Sequence, residues 1–337
     1  MLAIVLLIST YVNIFSQNQW KEYSEQAIVM GMAFEVKAIS SDYDSAYRAV
    51  KLAINEARRV DTLLSHYLPQ SETSRINKYA SMGPVKVSDE VIDLIIRTKK
   101  ISKLTNGAFD ISFAALSPFW KFDGSMKSLP NSDTIEHYRQ LIDYQSIIVN
   151  RDSGTVQFAK KGMRIGFGGI GQGYAAERCK KVMQQAGIRC GYVNVSGDIR
   201  FWGVRPDGKL WRVALVSPDN KKEVIAWLDI TDAAVVTSGD YEQFAMIGGK
   251  RYTHIFDPRT GYPANKVRSV VIICPDTEVA DGLSTGTFVL GETDGLKLIN
   301  SLKNIHCVIV TNDNRIVTSS KLKLNFTQVS DAHLFNK

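Results

Sequence analysis

The chain has 337 residues, 45% hydrophobic and 22% charged, which is enough to bury one large core or two smaller ones. Its net charge is +7, from 41 Lys and Arg against 34 Asp and Glu. The basic residues are scattered among acids rather than striped with aromatics, which argues against nucleic acid and for solubility or an anionic small ligand.

Residues 2–14 are apolar and end in Ser16-Gln17-Asn18. The run falls short of the roughly twenty residues a membrane span needs, and it resembles a secretory signal without the basic n-region. Residues 1–17 are therefore expected to be a signal peptide or N-terminal anchor, with possible membrane association there. An exported protein is expected, periplasmic or at the outer face of the inner membrane. No lipobox-type cysteine follows the run. Residues 18–337 contain no repeat, low-complexity linker or clear boundary, so one domain is expected.

Residues 28–38 read as a strand interrupted by Gly31, a bulge or a close approach to the backbone. Residues 44–64 carry Ala46, Val50, Ala53, Ala57, Val60 and Leu64 at helical spacing, with Asp42 or Asp44 as cap. The polar, Pro-containing stretch 65–77 predicts a loop exposing Tyr67, Ser74, Arg75 and Asn77. A helix over 89–105 should stop at Asn106-Gly107 in a left-handed cap. Residues 107–122 then set Asp110 among aromatics, either as core or as a wall for a flat ring. Residues 125–146 read as a polar insertion with a short helix near Tyr138.

Gly166-Phe-Gly-Gly-Ile-Gly171 matches G-x-G-x-x-G, with a helix predicted over 174–186 and a strand over 191–195. The alternating series of a dinucleotide-binding domain is missing around it. What the glycines imply is that backbone groups there can approach a ligand or metal. Residues 201–216 and 223–230 read as antiparallel strands, turning at Pro206-Asp-Gly and Pro218-Asp-Asn. A strand from Ala234 enters the hydroxyl-rich turn Thr237-Ser-Gly-Asp-Tyr241.

The densest chemistry lies in Arg251-Tyr-Thr-His-Ile-Phe-Asp-Pro-Arg-Thr-Gly-Tyr-Pro263 and Ala280-Asp-Gly-Leu-Ser-Thr-Gly286. Asp257-Pro-Arg-Thr-Gly261 predicts a tight turn with glycine in the left-handed place. Asp257 could orient His254 or cap the turn; Arg259 could meet a phosphate or pair with a carboxylate. Residues 267–274 predict a buried strand. Asp281 and Thr285 stand one helical turn apart on one face, either as oxygen ligands for a hard cation or as a cap and a carbonyl back-bond. A helix over 294–302, a strand over 306–311 and a turn at Asp313-Asn314 close the pattern. His66, His137, His306 and His333 are surface or core residues by default, whereas His254 sits inside the motif cluster. Cys179, Cys190, Cys274 and Cys307 lie far apart with no C-x-x-C, which argues against zinc and leaves one or two disulfides open.

Eight ordered blocks resemble the ApbE family of FAD:protein FMN transferases: Met30-Gly31, Ser65 to Asn77, Gly107 to Asp110 with Trp120, Gly168 to Ala175, Gly197-Asp198, Thr237 to Tyr241, His254 to Pro263, and Ala280 to Thr285. The resemblance implies an α+β fold, a single two-lobed domain with mixed or antiparallel sheets and the FAD cleft between lobes. It also implies a Mg²⁺-dependent transfer of FMN from FAD to a Thr or Ser hydroxyl of an acceptor protein, with release of AMP. By the same resemblance Met30, Tyr67, Ala108, Phe109, Asp110, Gln172 and Ile255 line the FAD site, and Asp281, Thr285 and the Gly169 carbonyl hold the metal. Gly169 stands where relatives often carry Ala or Thr, which keeps a carbonyl ligand; Gln172 stands where they often carry Lys or Glu. On residue chemistry His254 is the candidate base, with Asp257 beside it. The alternatives are a pyrophosphatase splitting FAD to FMN and AMP, a flavin-binding protein without catalysis, and more remotely a Rossmann oxidoreductase.

Overall fold

The β-branched run Val267–Cys274 forms the predicted strand, inside an eight-stranded sheet. A computed structural model describes residues 20–220, 222–320 and 322, with the backbone of 325–326. The apolar opening stretch and His333 lie outside the described residues. The strands of the large sheet are β1 (Lys21–Val29), β2 (Met32–Ser40), β3 (Cys190–Val195), β4 (Asp198–Trp202), β5 (Ala234–Gly239), β6 (Val267–Cys274), β7 (His306–Thr311) and β8 (Ile316–Thr318). Sheet neighbours follow chain order and every pair is antiparallel. The longest insertion, between β2 and β3, carries α1 (Tyr43–Leu64), α2 (Glu72–Tyr79), α3 (Asp89–Leu104), α4 (Ser132–Arg139) and α5 (Gly171–Gln185). Between β6 and β7 come α6 (Thr277–Leu290) and α7 (Glu292–Ser301).

Both faces of the sheet are covered, so β6 reads as a continuous apolar run rather than an alternating one. Val270, Ile272 and Cys274 enter the core shared with α1, α5 and α6. Val271 and Ile273 point the other way, into a second core against a small sheet of Trp211–Val216, Val224–Ile230 and Asn325–Phe326. A third cluster, centred on Trp120 and Phe256, lies beside the 257–261 turn. The cleft opens between this aromatic lobe and the helix-backed sheet. The α+β class with antiparallel sheets is as expected.

Local rules hold at several ends. Asp42 caps α1 by accepting the Asp44 and Ser45 N–H groups. Past α3, Asn106 (φ 51°) and Gly107 (φ 76°) make the left-handed stop, with the Gly107 N–H on the Ser102 carbonyl at 2.8 Å.

Two expectations change. The strand expected over 28–38 is instead a hairpin tip: Met30 (φ 57°) and Gly31 (φ 72°) are both left-handed and join β1 to β2. Two successive positive φ values mark a type I′ turn, so Gly31 serves a turn and not a bulge. The loop expected over 65–77 holds only as far as Ser71, which accepts the Ser74 N–H at 3.0 Å and starts α2. The glycine motif does precede α5, but β3 pairs antiparallel with β2 and β4, which excludes a parallel dinucleotide-binding β-α-β unit. All four cysteines are buried free thiols. No described helix is long and apolar enough to cross a membrane.

Candidate active site

Helix α6 begins at Asp276, whose carboxylate accepts the Val279 N–H at 3.0 Å. Its buried side faces the glycine segment leading into α5. The Gly173 N–H donates to Asp281 Oδ2 at 2.8 Å. A Cβ at Gly173 would stand 2.2 Å from the Thr277 carbonyl oxygen, so only glycine permits this approach. A Cβ at Gly169 would stand 3.0 Å from Thr285 Oγ1. The three predicted metal residues, Gly169, Asp281 and Thr285, line one cleft, with Gly169 packed against Thr285.

Two carboxylates that sequence reasoning gave no role line the same cleft, Asp198 at the start of β4 and Glu242 beyond β5. Asp198 Oδ1 accepts the Thr237 N–H at 2.8 Å, and Ser238 Oγ lies 2.9 Å from Ser284 Oγ. Burial holds the Asp198 carboxyl well above its ordinary range, and the charge of Asp281 adds to that. Burial also raises Asp281, opposed by the Gly173 N–H and reinforced by Glu242. None of the described lining residues is Lys or Arg. Among the described residues no three of His, Cys, Asp or Glu are set to cage an ion. What Asp281, Thr285 and the Gly169 backbone could offer is one carboxylate, a hydroxyl and a carbonyl, oxygen donors of the kind a hard cation takes.

His254 lines the opposite wall, just after the hairpin Phe244–Ile247/Lys250–Thr253. Its Nδ1 lies 3.1 Å from the Gln243 carbonyl oxygen. A carbonyl only accepts, so Nδ1 carries the proton in this contact and Nε2 keeps its lone pair. Burial holds the imidazole below its ordinary value of 6.5, with the Gln243 contact opposing. Asp257 does not orient it. The Asp257 carboxylate takes a fork from Arg259 (Nε 2.8 Å, Nη2 2.7 Å) and the Arg259 N–H at 3.0 Å. Both open readings of the turn thereby close in favour of an internal pair that stiffens it, with Gly261 at φ 77° as predicted.

Ala108, Phe109, Asp110, Gln172 and Ile255 also line the cleft. Asp110 has both oxygens engaged: Oδ1 accepts the Ser112 N–H (2.8 Å) and Oγ (2.6 Å), and Oδ2 the Tyr144 N–H (2.8 Å). Burial raises its carboxyl, those donors opposing. Its carboxylate thus anchors the 107–122 segment. Trp120 packs in the aromatic core, not on the cleft.

Met30 and Tyr67 lie in an adjoining compartment that shares Gly168 and Gln172 with the first. The Met30 N–H donates to Asp61 Oδ2 at 3.1 Å, which ties the hairpin tip to α1. Tyr67 is 82% exposed. His66, expected to be an ordinary surface or core residue, lines this compartment with its ring 4.0 Å from that of Tyr67. Its only sequence signal was adjacency to Tyr67. For Asp198 the signal was its place in the Gly197-Asp198 block; for Glu242 there was none.

Fold and cleft together define an α+β protein with an acidic ligand cleft at one end of an antiparallel sheet. The chain belongs to the ApbE family, whose model matches residues 30–309. It is 30% identical to an FAD:protein FMN transferase of Klebsiella pneumoniae over 313 residues, 92% of this chain and 96% of that one. A Salmonella typhimurium protein of the same name is 32% identical over 272 residues, 78% of this chain and 77% of its own length. Among solved structures, the ApbE protein of Thermotoga maritima superposes with a TM-score of 0.83 at 29% identity, covering 89% of this chain and 97% of that one. The flavin transferase ApbE from Vibrio cholerae gives 0.79 at 26% identity, covering 89% and 98%.

Proposed function

We propose that this chain is a Mg²⁺-dependent FAD:protein FMN transferase, which joins FMN to a Thr or Ser hydroxyl of an acceptor protein and releases AMP. The observation that carries the reading is the meeting, in one cleft, of a neutral imidazole with Nε2 basic and an oxygen set of Asp281, Thr285 and Gly169. The cleft wall is acidic, so an anionic diphosphate would be repelled there without a counter-charge. Mg²⁺ held by Asp281, Thr285 and the Gly169 carbonyl would supply that charge and polarise the phosphoryl oxygens. His254 Nε2 takes the proton of the acceptor hydroxyl. The hydroxyl oxygen bonds to the FMN-side phosphorus, and the bond to the bridging oxygen breaks toward AMP. Asp257 and Arg259 keep the turn after His254 rigid, and the Gln243 carbonyl fixes its tautomer. Met30, Tyr67 and Gln172, which line the adjoining compartment, would hold the part of FAD that extends beyond Gly168.

Export of the chain is part of the same proposal. It rests on the apolar opening stretch alone, and fractionation of the producing cells tests it.

The functional test is intact-mass analysis of an acceptor protein incubated with this chain, FAD and Mg²⁺. The expected result is an acceptor heavier by one FMN phosphoester, with one AMP per label. FMN and AMP formed at the same rate with no acceptor, and no label when it is present, would make the protein a pyrophosphatase. FAD left intact would make it a binding protein.

A further inference from the structure

Three contacts tie the glycine segment and α5 to α6, and they recur every four residues on both. Gly169 lies against Thr285, the Gly173 N–H bonds Asp281, and Glu177 takes Thr277. One helical turn separates successive rungs, so the two segments run antiparallel in one register. The first two rungs contain the residues assigned to the cation. The third lies outside the cleft lining, yet it is the most heavily bonded.

Glu177 Oε2 accepts the Thr277 N–H at 3.2 Å, the Thr277 Oγ1 hydroxyl at 3.1 Å and Arg200 Nε at 3.1 Å; Oε1 accepts Lys180 Nζ at 3.0 Å. Thr277 opens α6, where backbone N–H groups have no intrahelical partner and a negative charge is favoured. Arg200 is 2% exposed and sits on β4, two residues after Asp198; its guanidinium also reaches the Phe201 carbonyl. Glu177 thereby joins α5, which follows Gly169, to α6, which carries Asp281 and Thr285, and to β4, which carries Asp198.

We propose that Glu177 is a positioning residue for the cation site, setting the register of α6 on α5 and so the placement of Asp281 and Thr285. A slip of one residue along α6 would turn its side chains by about 100° and take both off the cleft. The inference rests on the cation reading above. Its test reads metal directly: Mn²⁺ stands in for Mg²⁺ at oxygen ligands, and free Mn²⁺ is followed by its electron paramagnetic resonance signal in a titration without FAD.

Glu177→Ala should weaken Mn²⁺ binding about 10-fold, the low end of what losing a partner bonded directly to a metal ligand costs, because Glu177 acts one helical turn further away, through Thr277. Glu177→Gln, which keeps an acceptor for Thr277 but loses the charge toward Arg200, should fall between it and the wild type. Thr277→Val should weaken binding about threefold, since the N–H half of the contact survives. Leu228→Ala, in the outlying small sheet, sets the effect of general destabilisation and should lower the melting temperature without changing Mn²⁺ affinity. If Glu177→Ala fails to fold, Glu177→Gln and Thr277→Val carry the same comparison. Affinity within twofold of wild type in the folded Glu177 variants, or an equal loss in Leu228→Ala, overturns the positioning role while leaving the cation reading intact. A wild-type chain that binds no Mn²⁺ overturns the cation reading and this inference with it.

Discussion

The two compartments of the cleft are built in opposite ways. The acidic one is walled by strand ends and by two antiparallel helical segments in close contact; Asp281 and Asp198 are 6% and 8% exposed, and each is held by a backbone N–H. The adjoining one is walled by the β1–β2 hairpin tip and the segment after α1, where Tyr67 keeps 82% of its surface in solvent. A buried, bonded carboxylate has one placement, whereas an exposed ring on a connecting segment retains its rotamers. Such a division suits a reaction whose attacking and leaving atoms must be aligned closely while the remainder of the ligand is only gripped.

Substitutions on the two sides should separate accordingly. The largest effect is expected from Asp281→Ala: acceptor labelling, read as flavin fluorescence in a denaturing gel, falls at least about 100-fold. Labelling at the wild-type rate would remove Asp281 from the chemistry. His254→Ala should cost about 100-fold or more, the usual worth of a positioned base. Burial depresses the imidazole pKa, so the base is neutral at lower pH than usual, and the acidic limb of the wild-type kcat/KM profile should fall below 6.5. A limb at or above neutrality would point to another group.

Gly173→Ala tests the wall rather than the chemistry. A Cβ 2.2 Å from the Thr277 carbonyl forces α5 and α6 apart, at about 1–3 kcal/mol, visible as a lower melting temperature. The smallest effect belongs to the open compartment. Tyr67→Ala removes a stacking surface worth about 0.5–1.5 kcal/mol, so KM for FAD should rise about 2- to 10-fold with kcat unchanged. A lower kcat at constant KM would place Tyr67 with the reacting atoms and erase the contrast between the compartments.

Elements that obey local rules are legible in the chain alone. The spacing of Ala46 through Leu64 specified α1, the β-branched run specified β6, and Pro258 with Gly261 specified the turn. Asp281 and Thr285 were recognisable as a pair because helical periodicity alone puts them on one face. The order of the eight motif blocks was likewise enough to indicate the family. Short elements escaped where composition conflicted with a cap: Ser71 starts α2 inside a stretch that polarity and Pro69 mark as loop, and Met30-Gly31 turns a chain that reads as one strand.

Which donor each carboxylate receives depends on packing between distant segments. Asp257 is taken by Arg259, Asp110 by Ser112 and Tyr144, while Asp198 and Asp281 are turned toward the cleft. Spacing cannot rank these partners, since a buried carboxylate takes whichever N–H groups packing brings to it, and those come from distant parts of the chain. Asp198 and Asp281 influence each other only because β4, β5 and α6 are brought together at one end of the antiparallel sheet.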